Sequence, residues 1–111
     1  MTVSEMIKEL GLIVFSGKEG MEKEITGGYV SDLLSDVMGN AVEGEVWVTL
    51  QTHNNVSAVA SLKELSAIII VKGLIPEENT KKHCEEEKIP LLGTSLETFE
   101  IAGKLYKLLQ K

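Results

Sequence analysis

A single cysteine, Cys84, stands among the 111 residues. It can form no internal disulfide, and nothing suggests a disulfide-stapled secreted scaffold. Long hydrophobic runs are also missing. The longest, Ala67–Val71, is far short of the roughly 20 residues that a membrane-spanning helix needs. The N-terminus has no basic stretch followed by an apolar run, so no signal peptide is expected and a cytoplasmic protein is the default expectation. Positive charge is scarce: 11 basic residues face 17 acidic ones, for a formal charge of −6. Such a surface repels phosphate backbones, which argues against general nucleic-acid binding.

Catalytic signatures are lacking as well. Ser16-Gly17-Lys18-Glu19-Gly20 superficially resembles a phosphate loop, but the Gly-x-x-x-x-Gly-Lys-Ser/Thr spacing is absent. No Gly-x-Gly-x-x-Gly run follows a strand. His83 and Cys84 are adjacent on a helix and have no second Cys/His pair, so no metal site is expected. The expectation is a chain with no catalytic residues, no metal and no cofactor.

What is present is an ordinary globular composition, 43% hydrophobic and 25% charged. A chain of this length buries roughly 65% of its unfolded surface, enough for one core without staples. Disorder is not expected. Thr2-Val3-Ser4-Glu5 reads as a capping box opening a helix that Gly11 stops. Leu12–Phe15 reads as a buried strand and 16–24 as a surface loop. Ile25–Val30 suggests an irregular strand. Ser31 then looks like the cap of a helix through Met38, with Asp32 in its first turn.

From Val46 onward strands and helices alternate. Val46–Leu50 is β-branched and aromatic, and Asn54 or Asn55 can cap a helix over Val56–Leu65. Ala67–Val71 is apolar on both faces, as a central parallel strand should be. A charged helix follows Pro76 and runs to about Lys88. Ile89–Leu92 is a strand whose Pro90 suggests a strand start or a sheet edge. Thr94-Ser95-Leu96-Glu97 reads as a second capping box before the last helix. That helix carries Phe99, Ala102, Tyr106 and Leu109 on one flank, with Ile101, Leu105 and Leu108 on the adjacent one. The fold class that follows is a single-domain α/β protein, a mostly parallel sheet with helices on both faces.

In such sheets ligands bind beyond the carboxyl ends of the strands. The junctions at 16–18, 51–55, 72–73 and 93–95 qualify, and two open onto helix N-termini. His53 follows a strong strand and is a candidate ligand contact or acid/base group. Capping and loop-tying are the favoured account of His53, Thr52, Asn54 and Asn55. Asp32 and Asp36, four apart, would share a helical face and could hold a cation or exchange protons. A helix-start role accounts for Asp32 as well. Gly27-Gly28 permits close backbone approach to a ligand, or a plain turn. Tyr29 beside them should be partly exposed. Trp47 should be core, Cys84 a small buried residue on the sheet side, and Glu85-Glu86-Glu87 a solvated face.

The run Thr26-Gly27-Gly28-Tyr29-Val30-Ser31-Asp32-Leu33-Leu34-Ser35-Asp36-Val37-Met38 resembles the DRTGG domain. Thr52-His53-Asn54-Asn55, Ala67–Val71 and the segment from Gly93-Thr94-Ser95 through Phe99-Glu100 extend the resemblance over nearly the whole chain. Glu24-Ile25 stand where the name-giving Asp-Arg would be. The resemblance implies a fold like the N-terminal domain of HPr kinase/phosphorylase, with dimerisation or small-ligand sensing as its role. Stand-alone relatives carry serine-kinase-like labels, but that chemistry belongs to a separate P-loop domain which this chain lacks.

The leading expectation is a non-catalytic regulatory or ligand-binding module, a homodimer sensing a nucleotide or phosphorylated metabolite. Its binding residues are expected among Gly27, Gly28, Tyr29, Asp32, Asp36, Thr52, His53, Asn54, Asn55 and Thr94. Two other readings stand beside it. One is a phosphotransferase component using His53 with Asp32 or Asp36. The other is a docking partner of an enzyme, marked by an exposed apolar patch.

Overall fold

A computed structural model describes residues 1–110. The chain opens with α1 (Val3–Leu10), whose first turn is tied by the expected capping box. The Glu5 N–H donates to Thr2 Oγ1 at 3.2 Å, and the Thr2 N–H donates to Glu5 Oε1 at 2.8 Å. Gly11, at φ 65°, ends the helix in a left-handed turn that a side chain would strain. Next come β1 (Ile13–Ser16), a 3₁₀ turn (Lys18–Gly20) and β2 (Gly27–Val30). Three crossovers follow: α2 (Leu34–Asn40) to β3 (Glu45–Thr49), α3 (Asn55–Leu62) to β4 (Ala67–Ile70), and α4 (Glu78–Glu87) to β5 (Leu91–Gly93). The described chain closes with α5 (Thr98–Leu109).

The five strands form one sheet in the order β1-β5-β4-β3-β2. Strands β2 to β5 are parallel, and β1 runs antiparallel to β5. Helices cover both faces. On one side Val3 and Met6 of α1 with Ile101 and Leu105 of α5 pack on Val46, Val48, Ile69 and Leu92. On the other, Val37, Val56, Ala60 and Cys84 from α2, α3 and α4 pack on Trp47, Ile68, Ile70 and Leu91. The period-2 alternation along β3 and β4 sends successive side chains into opposite cores. Trp47 is fully buried, and its Nε1–H donates to the Ser31 carbonyl at 2.8 Å.

Several local expectations are corrected. β1 is not a buried strand but a sheet edge, and Ile13 is 56% exposed. A run of four apolar residues cannot distinguish an edge from a centre. The segment 16–24 is not a free loop. The Gly17 N–H donates to Glu85 Oε1 at 2.7 Å, and a Cβ at Gly17 would collide with the Ile89 carbonyl. Glu85 and Glu87 are exposed, yet both accept hydrogen bonds, Glu87 from Ser61 Oγ. Of the two readings of Pro90 the strand start holds and the sheet edge does not: it immediately precedes β5, an inner strand, and its carbonyl accepts from the Ile68 N–H.

Ser31 does not cap α2. Its Oγ accepts from the Leu33 N–H, and the helix begins at Leu34. Nor does Thr94 open a capping box. The Lys72 and Gly73 N–H groups capture the Leu96 and Thr94 carbonyls, which holds this segment extended and delays α5 to Thr98. Neither asparagine's side chain caps α3. His53 Nδ1 accepts the Asn55 N–H instead, at 3.1 Å.

Cys84 lies wholly inside the second core, and burial pushes its thiol up to about 12, from 9.0. The folded state therefore keeps its proton where the unfolded chain begins to lose it. Stability from this group is complete below pH 9.0 and falls as pH climbs from there toward 12. Urea melts at stepped alkaline pH should show that decline in the parent and a flatter one in Cys84→Ala. A thiol-specific dye should label native Cys84 only as fast as the protein unfolds.

Candidate functional site

The carboxyl ends of the parallel strands carry most of the polar residues expected to bind. Several of their backbone and side-chain groups are tied within the fold. Asp32 follows β2 outside any helix. Its Oδ1 accepts from Thr49 Oγ1 at 2.9 Å and from the Leu50 N–H at 2.8 Å, which pins the end of β3. The Gln51 side-chain amide donates back to the Asp32 carbonyl at 2.9 Å. Thr52 offers its carbonyl to the Glu77 N–H and to Thr80 Oγ1, tying the junction to the start of α4. His53 is occupied at Nδ1 by the Asn55 N–H, while the Asn54 carbonyl and Oδ1 both face Ser57 Oγ, at 2.7 and 2.9 Å.

Asp36 sits on α2, so the two aspartates do not share a helical face as expected. The reason is the late helix start: Asp32 bends back to β3, whereas Asp36 receives the Tyr29 hydroxyl at 2.9 Å and the Asn40 amide at 3.0 Å. Hydroxyl donation from Ser31 and then Tyr29 holds the Asp36 carboxyl below its ordinary range. The same Asp36 contact raises the Tyr29 phenol. Neither aspartate is hydrogen-bonded or ion-paired to His53 among the described residues. The acid/base arrangement that a phosphotransferase would need from these three side chains is not assembled.

A pairing that the sequence did not suggest joins α3 to α4. Ser57 Oγ lies 2.6 Å from His83 Nδ1. The hydroxyl has one proton; given to the Asn54 carbonyl, it leaves His83 Nδ1–H to donate to Ser57. Ser57 has no exposed surface, so this pair clamps two helices and presents no nucleophile to solvent. Among the described residues, no three His, Cys, Asp or Glu side chains gather as a metal site. None of the described helices is long and apolar enough to cross a membrane.

The concave surface lies elsewhere. A cleft of about 690 Å³ runs along the amino edge of β3 and β4, where Glu24, Glu43, Glu64 and Glu87 outnumber Lys23. A second, of about 500 Å³, lies between α1, the β5–α5 junction and α5, and includes Thr94. A third, about 380 Å³, is an almost wholly apolar groove of Gly28, Val30, Phe99, Ala102, Tyr106 and Leu109. Phe99 is 89%, Tyr106 69% and Val30 48% exposed on it. The candidate residues thus divide. Gly28 joins the groove, Thr94 the second cleft, and 52–55 with Asp32 form a hydrogen-bonded knot bordering none of the three clefts. Gly27 lies on the edge strand β2 beside Glu45. Because β2 to β5 follow one another without reversal, the sheet has no change of direction at its carboxyl edge to open a crevice there.

No family model and no curated protein matches the chain. A solved structure does resemble it: the CBS and DRTGG domains of the regulatory region of Clostridium perfringens pyrophosphatase, complexed with its activator diadenosine tetraphosphate. The TM-score is 0.72 at 14% identity, over 95% of this chain and 45% of that one. At this identity the likeness shows the fold. The chain spans less than half the length of that regulatory region.

Removing the Asp32 carboxylate should loosen the knot and leave association untouched. Asp32→Ala is expected to lower stability by about 1 kcal/mol in urea melts, with an unchanged sedimentation profile. His53→Ala should behave alike, with a smaller loss.

Proposed function

We propose that this chain is a regulatory module of the DRTGG type, one domain over residues 1–111, acting in the cytoplasm without chemistry of its own. It pairs with a second copy of itself and senses a nucleotide or other phosphorylated metabolite. The observation that carries this reading is the exposed apolar groove beside the open edge of β2. Surfaces of this kind mark association sites.

Knob and groove sit side by side on one surface, as a self-complementary two-fold contact requires. Phe99 of each copy would enter the other's groove beside Gly28, where the missing side chain lets Leu105 pack close against the strand. The two β2 edges would meet nearby. Burying four aromatic rings would contribute on the order of 6–12 kcal/mol before the cost of association. The fold's likeness to a regulatory region that binds a dinucleotide activator supports the sensing half of the reading.

Sedimentation should give twice the 12.1 kDa chain mass for the parent. Phe99→Lys/Tyr106→Lys should give the chain mass and stay folded, because both rings are exposed on the single chain, while its melting temperature loses the rise with protein concentration expected of a dimer. A thermal-shift screen with nucleotides and phosphorylated metabolites should raise the melting temperature for at least one. A monomeric parent that none of them stabilises would overturn the proposal. A monomer that is stabilised would leave the sensing half and point the groove toward an enzyme partner.

A further inference from the structure

We infer that the cleft between α1 and α5 is the ligand site, and that it takes an organic phosphate of mononucleotide size. The inference rests on the sensing half of the proposed function and adds the place and the chemistry. On a chain with six excess negative charges, neither of the other two clefts suits an anion. The cleft of about 690 Å³ sets four glutamates against one lysine, and the groove beside β2 is apolar.

The α1–α5 cleft differs from both. Lys104 and Lys107, three apart on α5 and therefore on adjoining turns, face Glu9 alone among ionised side chains lining it. Neither lysine pairs with a carboxylate among the described residues. The C-terminal ends of α1 and α5 both border the cleft, and each contributes about half a negative charge. The lysines offset these and Glu9, which leaves the cleft close to neutral where the chain as a whole is acidic.

Hydroxyl donors complete the polar wall. Thr94 is 7% exposed, and its Oγ1 accepts from the Leu96 N–H at 3.2 Å. The proton on that oxygen has no acceptor among the described residues, so a nearly buried donor is left unspent. Ser95 beside it is exposed. Leu10, Leu96 and Leu108 supply an apolar wall. One phosphate held by the lysines and hydroxyls, with a flat or apolar body laid on the leucines, uses every part of the cleft. The volume, about 500 Å³, lies within the usual range for small-molecule sites.

The test is an NMR titration of the full, isotope-labelled chain with AMP, with adenosine and inorganic phosphate run separately. AMP should shift the amides of Leu10, Thr94, Ser95 and Leu108 selectively, and both fragments should bind more weakly than AMP. Lys104→Gln/Lys107→Gln, at two exposed positions, should weaken AMP binding by about tenfold or more, and added salt should weaken it in the parent. Shifts centred elsewhere, or equal affinity in the double variant, would overturn this site while the sensing reading survives. Failure of every nucleotide and phosphorylated metabolite to bind would overturn both.

Discussion

Burial of β4 on both faces is the constraint that organises the rest. Ala67 and Ile69 enter one core, Ile68 and Ile70 the other, and none of the four exposes any surface. Each face left open to water would lose roughly 25 cal/mol for every square ångström of apolar area. A strand of this composition therefore demands a helical layer on each side. Helices α2, α3 and α4 form one layer from the crossovers between successive strands. The opposite layer must come from outside that series, and α1 and α5 supply it. The final helix is thus held by the needs of the central strand, and its remaining surface is free for other uses.

This logic explains what could be read in the amino-acid sequence. The alternation from Val46 onward and the doubly apolar Ala67–Val71 were sufficient for the fold class, because both signals are local and strong. The capping box at Thr2 to Glu5 was legible for the same reason: donor and acceptor lie within four residues. The similar pattern at Thr94 misled, since its carbonyl is taken by Gly73, a group brought near only by the folded sheet. Asp32 belongs to the same class. Its partners, Thr49 and Leu50, lie 17 and 18 positions away, and helix-start statistics carry no trace of them. Ser57 and His83, 26 apart, left no sequence signal at all.

The candidate site shows the complementary effect. Residues picked for chemical versatility, Asp32, Thr52, His53 and Asn54, also serve the fold: the Asp32 carboxylate, the Thr52 carbonyl, His53 Nδ1 and Asn54 Oδ1 each accept a hydrogen bond there. Groups left over among the described residues are better markers of binding: the Thr94 proton, Lys104 and Lys107 without a carboxylate partner, and the bare rings of Phe99 and Tyr106. One clue to the rings was present in the sequence. A twelve-residue helix with two adjacent apolar flanks has more hydrophobic surface than one core can cover. Ile101, Leu105 and Leu108 go inside, and the flank of Phe99 and Tyr106 stays out.

The two rims of the sheet are unlike. Both edge strands are four residues long, but β2 pairs with β3 in unbroken register, whereas β1 is antiparallel and its register shifts between Val14 and Ser16 as at a bulge. A bulge twists a strand and spoils the regular row of donors and acceptors that another chain would copy. Head-to-tail stacking needs two good rims on every molecule. With one regular rim and one irregular rim, any edge-to-edge growth would stop after one contact, and the route to fibrils is blunted by the way the chain begins its sheet.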